Sequence, residues 1–331
     1  MANYKGIKGF TVPALTADPP APIVGQVWYN TTSAVLKGYK EGAGAWASGG
    51  NILIARGEFG GARAGTVTAG LIFGGDGPPS TTPPGYMLNS AEYDGSSWTQ
   101  GNNLNNERSG QGSLGIQTAA MCIAGNAYPD HTVNYDELYD GTCWTEVNDT
   151  NTRRVGCGGG GTTTAGIIAG GDNTVLCETW DGTSWSEETG DLNTARSQSG
   201  FAGTVNTAAL VSGGNPGYKD ITEVWNGTSW TEVAQMTTAR GQFVASFGSS
   251  TAALDVGGIT ASPNVYTNKT EKWDGTSWSE VADITTAARL GGGGGSTSEG
   301  LACGGFISPG FSNTTEEWAD PVLTTVTFTA S

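Results

Sequence analysis

The sequence predicts an all-β fold, and two features of its 331 residues support this prediction. Glycine occurs 54 times and only 14% of the residues are charged, a composition typical of many turns and short strands rather than of long charged helices. A short aromatic turn also recurs along the chain. Recurrence at a nearly fixed spacing predicts that one small unit of strands is repeated several times.

Five copies of the aromatic turn stand in the sequence. Each places Asp-Gly or Asn-Gly between two aromatic residues, and these dipeptides favour two-residue hairpin turns because both central positions need positive φ. Each copy therefore predicts a β-hairpin with an aromatic residue on either arm. The copies are YDGSSW at 93–98, YDGTCW at 139–144, WDGTSW at 180–185, WNGTSW at 225–230 and WDGTSW at 273–278.

Two further features accompany the turns. Upstream, a short apolar run ends in a glycine pair, at 74–75, 170–171, 213–214, 257–258 and 304–305, and imperfectly at Gly125 and Asn126. Downstream, an arginine follows each tryptophan by ten or eleven residues, and we predict that both residues are structural. The couples are Trp46 and Arg56, Trp98 and Arg108, Trp144 and Arg154, Trp185 and Arg196, Trp230 and Arg240, and Trp278 and Arg289.

Together these features define a unit of four short strands in roughly 41 to 52 residues, which is the period of a propeller blade. Six units predict a six-bladed β-propeller over residues 41–331. A tryptophan or tyrosine buries about 150 to 250 Å2, so paired aromatic residues would fill the wedge between blades. The glycine runs at 156–161 and 291–295 are predicted to be crowded inner strands.

Residues 1–40 do not follow the repeat and are predicted to form an N-terminal arm. A proline-rich extended stretch leads into a hairpin that pairs QVWYN with VLKGY. The last repeat lacks its own tryptophan strand. We expect residues 43–48, which contain Trp46, to pair beside the strand that ends at Trp318. The competing interpretation is that residues 322–329, with their alternating apolar pattern, fold back as that strand.

Acidic residues also recur, two positions before an aromatic residue in five repeats. The repeat arginines are their obvious partners, so we predict structural ion pairs between blades rather than catalytic acids. The five residues are Glu137, Glu178, Glu223, Glu271 and Glu316.

The loops after the glycine pairs predict a binding face. They should lie at the same end of the propeller as the segments that lead to the arginines, and unlike those segments they vary in length. They also carry aromatic residues suited to stacking on sugars or packing on protein. The candidate binding residues are Tyr86, Tyr128, Tyr135, Tyr218, Tyr266, Phe306 and Phe311.

The glycine pair, the aromatic residue spaced before a tryptophan and the arginine that follows resemble the kelch repeat, whose family fold is a β-propeller. The resemblance covers roughly residues 46–318. In addition, the G-x-x-WYN-T pattern at 25–31 resembles short hairpins of bacteriophage tail and fibre proteins, and the repeat block with its TEEW ending is similar to kelch-like virion proteins of marine phages.

This resemblance implies a non-enzymatic structural protein of a virion, in a tail, in a fibre or associated with a capsid. The arm would dock to other virion proteins, and the propeller would be displayed for host attachment, to a surface glycan or protein, or for other protein-protein contact. The alternative is a free carbohydrate-binding or adaptor kelch propeller. The chain is also compatible with forming a homo-oligomer.

Composition argues against several other functions. A net charge of −16 disfavours nucleic acid and anionic lipid as partners, and the sequence has no run of the roughly 20 apolar residues that span a membrane. The N-terminal residues lack the apolar core of a secretory signal. His131 is the only histidine and the five cysteines form no Cys-x-x-Cys pair, so we expect no metal site. No catalytic motif stands apart from the repeat, so we expect no enzyme and no cofactor.

Overall fold

A computed structural model describes residues 12–23, 25–41, 44–78, 85–242, 244–261, 265–320 and 323–328. Across these residues every regular element is a β-strand and none is a helix. Four-stranded sheets dominate, and this arrangement is consistent with a β-propeller. The predicted all-β class is therefore confirmed.

The strands are short, as expected for a glycine-rich chain. In chain order they are β1 (Ala14–Leu15), β2 (Val27–Asn30), β3 (Val35–Glu41), β4 (Ala45–Ser48), β5 (Gly60–Gly61), β6 (Gly70–Phe73), β7 (Ser90–Tyr93), β8 (Trp98–Gln100), β9 (Gly112–Ile116), β10 (Ala119–Ala127), β11 (His131–Tyr139), β12 (Trp144–Val147), β13 (Gly158–Thr162), β14 (Ala165–Ala169), β15 (Cys177–Trp180), β16 (Trp185–Glu187), β17 (Gly200–Val205), β18 (Ala208–Ser212), β19 (Thr222–Trp225), β20 (Trp230–Glu232), β21 (Ala245–Ser249), β22 (Ala252–Val256), β23 (Ile259–Ala261), β24 (Val265–Tyr266), β25 (Thr270–Trp273), β26 (Trp278–Glu280), β27 (Gly292–Gly295), β28 (Glu299–Cys303), β29 (Phe306–Ile307), β30 (Gly310–Phe311), β31 (Thr315–Ala319) and β32 (Leu323–Phe328).

The chain divides into two compact units. One is Ala45–Ala319, and the other joins Met1–Gly44 to Asp320–Ser331. The sequence had placed residues 320–331 with the propeller and ended the arm at residue 40. We refer to the two as the repeat unit and the arm unit.

The described residues of the repeat unit form six four-stranded antiparallel sheets. Two further hairpins, β23–β24 and β29–β30, are inserted between the second and third strands of the last two sheets. The sheets are named in chain order: sheet I (β5, β6, β7, β8), sheet II (β9, β10, β11, β12), sheet III (β13, β14, β15, β16), sheet IV (β17, β18, β19, β20), sheet V (β21, β22, β25, β26) and sheet VI (β27, β28, β31, β4).

Each predicted aromatic turn joins the third and fourth strands of a sheet as a hairpin. In sheet IV, Trp225 lies directly opposite Trp230, with ring centroids 5.5 Å apart. The turn itself differs from the prediction, because four residues separate the paired aromatic residues and only the glycine has positive φ. The side chain of Asn226 closes this turn, since its Oδ1 accepts hydrogen bonds from the amides of Thr228 and Ser229 at 3.0 Å.

Sheet VI is completed by a strand from the N-terminal side of the repeats. Trp46 pairs with Trp318 across β4 and β31, and their ring centroids are 5.5 Å apart. The indole Nε1 of Trp46 donates to Thr270 Oγ1 and Ala282 O, both at 3.1 Å. The expected pairing of Trp46 with the strand of Trp318 is therefore confirmed. The competing interpretation is wrong, because β32 pairs with β3 instead.

The fourth-strand tryptophans connect neighbouring sheets. Trp278 of sheet V donates to Thr222 Oγ1 in sheet IV at 2.9 Å, and Trp98 of sheet I donates to Thr315 Oγ1 in sheet VI at the same distance. Buried aliphatic and aromatic residues of two adjacent sheets also pack into common clusters, such as the one between sheets III and IV. The core of the repeat unit is thus divided into the spaces between sheets, as predicted from the paired aromatic residues.

The first strands of the sheets lie next to one another and are rich in glycine. A Cβ added at Gly294 of sheet VI would stand 2.2 Å from the carbonyl oxygen of Ala62 in sheet I, and one at Gly159 would stand 2.7 Å from Ser113 O. Neighbouring backbones therefore approach too closely for any side chain. Both predicted glycine runs contain such buried strands, β13 and β27.

Arg63, which lies two residues beyond the end of β5, is the exception to this run of small residues. Its guanidinium reaches three other sheets, with Nε donating to Ser113 Oγ at 3.3 Å and Nη1 donating to Ser246 O at 3.1 Å and to Phe201 O at 3.5 Å. Burial lowers the pKa of Arg63 to about 10. The other five sheets have glycine at the equivalent position, namely Gly115, Gly161, Gly203, Gly248 and Gly295.

The arm unit has a four-stranded sheet of its own, in the order β1, β2, β3, β32. The predicted hairpin of β2 and β3 is present, with Trp28 opposite Lys37. Asp18 accepts hydrogen bonds from Trp28 Nε1 at 3.0 Å, Asn30 Nδ2 at 2.8 Å and Lys37 Nζ, and these contacts lower the pKa of Asp18 to about 2. One carboxylate thus ties the preceding loop to both strands of the hairpin.

Asp255 is a fully buried carboxyl group in β22, where the equivalent positions of the other sheets carry Ile72, Cys122, Ile168, Val211 and Ala302. Ser212 donates a hydrogen bond to it from sheet IV, and a Cβ at Gly200 would lie 3.0 Å from both its oxygens. Burial raises the pKa of Asp255 to about 6, although Arg240 opposes the shift.

We expect Asp255 to make the stability of the repeat unit depend on pH. Because the carboxyl group has a higher pKa in the folded than in the unfolded chain, the folded state binds more protons between about pH 4 and pH 6. The contribution of Asp255 to the free energy of unfolding therefore falls by about 3 kcal/mol as the pH rises through this interval. Denaturant unfolding of Asp255→Asn should show that the variant gains about this much relative to the parent protein between pH 4 and pH 7. A constant difference would contradict the assignment.

Candidate binding surface

The segments that lead to the arginines and the loops that follow the second strands lie at the same end of the repeat unit. Isolated bridges join them, across neighbouring repeats as between Thr174 and Arg196, and within one repeat as between Ser197 and Asn215 and between Arg289 and Phe306. We call this end the loop end. The predicted co-location of the two sets of loops is therefore confirmed.

Four of the repeat arginines form buried ion pairs with the predicted glutamates. In sheet IV, Arg196 Nη2 lies 2.5 Å from Glu223 Oε1, and both side chains have no exposed surface. Glu223 Oε2 also accepts from the backbone N of Asn193 at 2.7 Å and from its Nδ2 at 2.8 Å. The equivalent pairs are Arg108 with Glu137, Arg154 with Glu178, and Arg240 with Glu271.

These ion pairs differ from the prediction in one respect. Each arginine precedes the first strand of the same sheet whose third strand carries the glutamate, so the pair lies within a sheet and not between blades. It fastens the segment entering a sheet onto the middle of that sheet. The pairs hold the ends of the loops in place.

Sheets I and VI each lack one partner of this pair. In sheet I, Ala91 stands where the other sheets have glutamate. The buried Arg56 keeps the two carbonyl bonds that the other repeat arginines also make, here to Gly74 O at 3.1 Å and Asn89 O at 2.8 Å. Burial lowers the pKa of Arg56 to about 10. In sheet VI, Glu316 accepts instead from the backbone N and Oγ1 of Thr285, both at 2.9 Å.

Arg289 does not occupy the structural arginine position predicted for it. The amide of Gly258 donates to Ala288 O at 2.8 Å, and in the preceding repeat the amide of Gly214 donates in the same way to Arg240 O. Ala288 is therefore the residue equivalent to Arg240. Arg289 therefore lies one residue further along and is 22% exposed. Its Nη2 is 3.1 Å from Glu58 Oε1, and its guanidinium lies over the ring of Phe306 at 5.0 Å.

Around Arg289, three predicted binding residues pack together. The ring of Tyr266, on the hairpin inserted in sheet V, is 6.1 Å from that of Phe306, which is 5.5 Å from Phe311 in an edge-to-face contact. Phe311 in turn packs on the backbone of Gly57. We define the junction cluster as these three aromatic residues together with Arg289, Glu58, Asp76 and Tyr86.

The acidic members of the junction cluster and Tyr86 are electrostatically linked. Burial raises the pKa of Glu58, while Arg289 lowers it and Asp76 raises it further. Burial likewise raises the pKa of Asp76, and Arg289 partly offsets this. The pKa of Tyr86 is raised by burial and then by the charges of Asp76 and Glu58. All of these groups are partly exposed, so a ligand could reach them.

The other three predicted binding residues lie elsewhere at the loop end. Tyr128 follows β10 in sheet II and is 62% exposed. The ring of Tyr135, in β11, packs beneath Arg108 at 4.6 Å. The hydroxyl of Tyr218 accepts a hydrogen bond from Gln242 Nε2 at 3.4 Å. Tyr135 and Tyr218 are thus engaged within the repeat unit, whereas Tyr128 presents its ring to solvent.

Glu58 and Asp76 were missed by sequence reasoning. Both are single acidic residues in turns, and the position of Arg289 appeared to fit the arginine series. One signal was available: ITTAAR at 284–289 contains one alanine more than MTTAR at 236–240, which displaces its arginine by one position.

No family model matches this sequence, and no curated protein matches it. Within the described ranges, no helix has the length and apolar character needed to cross a membrane. The same part of the chain contains no group of three or more histidine, cysteine or acidic residues that could hold a metal ion.

Proposed function

We propose that the repeat unit is a closed, six-bladed, kelch-like β-propeller. The first strands support this closure, because each contacts the next in the cyclic order β5, β9, β13, β17, β21, β27 and back to β5. Two contacts bridge the last step: Trp98 Nε1 donates to Thr315 Oγ1, and Tyr93 OH donates to Glu317 Oε1 at 2.5 Å. A closed ring would leave no sheet with an unshielded face.

We further propose that the chain is a non-enzymatic binding protein of a phage virion, in a tail, in a fibre or associated with a capsid. Its loop end would contact a host-surface glycan or protein, and its arm unit would hold it to other virion proteins. The partly exposed aromatic residues of the junction cluster are the observation that carries the binding role. The virion assignment rests on the resemblance of the WYN hairpin and the repeats to phage proteins.

Incorporation into particles tests the virion assignment. Mass spectrometry of purified virions should find the chain in stoichiometric amount. A variant restricted to residues 45–319 should keep the cooperative unfolding of the repeat unit yet be absent from particles, because it lacks both the hairpin and β32. Normal incorporation of this variant, or absence of the full chain from particles, would contradict the proposal.

The alternative is a carbohydrate-binding or adaptor propeller that acts free of a virion. The presence of clustered aromatic residues beside carboxylates favours the carbohydrate-binding form of this alternative. It predicts glycan binding by the chain together with its absence from purified particles.

A further inference from the structure

We propose that the junction cluster is a binding subsite for one neutral sugar ring of a glycan. This inference rests on the proposed binding role of the loop end, but not on the virion assignment. Its aromatic surface would be supplied by Phe306, Phe311 and Tyr266, and its hydrogen-bonding groups by Arg289 and Glu58.

The first argument is that the structural repeat is interrupted here on both sides. Four sheets bury their arginine and glutamate completely, with side-chain exposures of 0 or 1%. At the junction of sheets VI and I, Ala288 and Ala91 replace one partner in each sheet. Arg289 pairs instead with Glu58, and these side chains are 22% and 21% exposed. Both sheets therefore lack the buried pair of the repeat, and a partly exposed ion pair between two different positions lies at their junction.

Glu58 is a second departure from the repeat. Its backbone is left-handed, with φ of 55°, as at the equivalent residues Gly110, Gly156, Gln198 and Gln242. A non-glycine residue is disfavoured in this conformation, and glutamate is the only charged residue among the five. The packing of the fold does not require a carboxylate at this position.

The aromatic residues are brought together by insertions. Phe306 and Phe311 lie on the β29–β30 hairpin and Tyr266 on the β23–β24 hairpin, and no other sheet in the described ranges carries such a two-stranded addition. Phe306 and Phe311 meet edge to face, so their faces point in different directions. The face of Phe306 also lies under Arg289. This places an apolar ring surface directly beside charged hydrogen-bonding groups.

The charges of the cluster specify the ligand class. The apolar face of a pyranose ring packs on an aromatic face, and its hydroxyl groups donate to carboxylates and accept from a guanidinium. The cluster holds two carboxylates, Glu58 and Asp76, against the single cation Arg289. An acidic sugar or a phosphate would be repelled by this excess negative charge, whereas a neutral hexose or N-acetylhexosamine would not.

Binding to immobilised oligosaccharides tests the inference with the full-length chain. The probes are neutral hexose and N-acetylhexosamine oligosaccharides, with sialylated and uronic-acid forms of the same backbones as matched acidic probes. We expect neutral probes to bind and their acidic forms to bind at least about tenfold more weakly. Calorimetry should then show an affinity loss of about tenfold or more for Phe306→Ala and for Glu58→Gln.

Val265→Ala is the matched control, since it removes exposed apolar surface from the hairpin that carries Tyr266 but lies outside the cluster. It should leave the affinity within about twofold. Unchanged thermal unfolding of all three variants would exclude loss of fold as the cause. The inference is overturned if no neutral probe binds, if acidic probes or a lysine-rich peptide bind better, or if Val265→Ala weakens binding as much as Phe306→Ala. Each of these outcomes leaves the mass spectrometry of virions unaffected.

Discussion

Replacing Arg196 with methionine is expected to lower the free energy of unfolding of the repeat unit by about 3 to 5 kcal/mol. The substitution leaves the carboxylate of Glu223 fully buried without its cation, and breaking one side of a buried ion pair costs about this much. Glu223 would keep its three amide donors from Asn193 and Thr194, so the loss should stop short of unfolding. Denaturant titration followed by tryptophan fluorescence measures the change.

The double variant Arg196→Met, Glu223→Gln distinguishes the ion pair from simple packing. Because it removes both charges, we expect it to be less destabilised than the sum of the two single variants. Lys269→Met is the control for charge alone, because the Lys269–Glu280 pair is 38% and 48% exposed and should contribute little. Additive effects of the two single substitutions would argue against an ion pair that stabilises the loop end.

Replacing Trp46 with alanine is expected to cost the repeat unit about 3 kcal/mol. The side chain packs against Trp318, and its indole donates two hydrogen bonds at the boundary of sheets V and VI. Truncation of a large aromatic residue in a packed core costs about 3 to 5 kcal/mol, and Trp46 is only partly buried, which places the effect at the lower end. Ten of the 11 tryptophans lie in the repeat unit, so their fluorescence reports its unfolding.

Deleting residues 322–331 is the comparison for Trp46→Ala. It removes β32, which pairs with β3 in the arm unit. The free energy of unfolding measured by tryptophan fluorescence should therefore stay within about 0.5 kcal/mol of that of the parent protein. If the deletion destabilised the repeat unit more than Trp46→Ala did, the C-terminal strand and not β4 would complete sheet VI.

The sheets could be predicted from the sequence because each repeat carries the same local sequence pattern. An aromatic residue, a glycine turn and a tryptophan define a hairpin whatever surrounds them, as at Trp225 and Trp230. The pairing of Trp46 with Trp318 could be predicted because the last repeat lacks its tryptophan strand and the segment with Trp46, before the first repeat, has no repeat of its own. The partners of the arginines followed from the regular spacing of the glutamates.

The junction cluster could not be predicted because it depends on positions where the sequence departs from the repeat pattern. The shift of Arg289 by one residue changes its partner from a glutamate of its own sheet to Glu58, far away in the sequence. The pairing of β32 with β3 likewise depends on two chain segments meeting in space, and its alternating pattern fits several partners. Local sequence specifies a strand but not always its neighbour.

The position of Arg63 limits how alike the repeats can be. Five sheets have glycine at this place, and the one arginine contacts sheets II, IV and V. A consensus protein built from six identical copies would carry either six glycines, and lose these contacts, or six arginines, whose like charges would repel one another within a few ångströms. Keeping the contacts of Arg63 without this repulsion therefore requires one copy that differs from the rest. A consensus design that averaged the repeats would therefore replace Arg63 by glycine and lose its contacts with three other sheets.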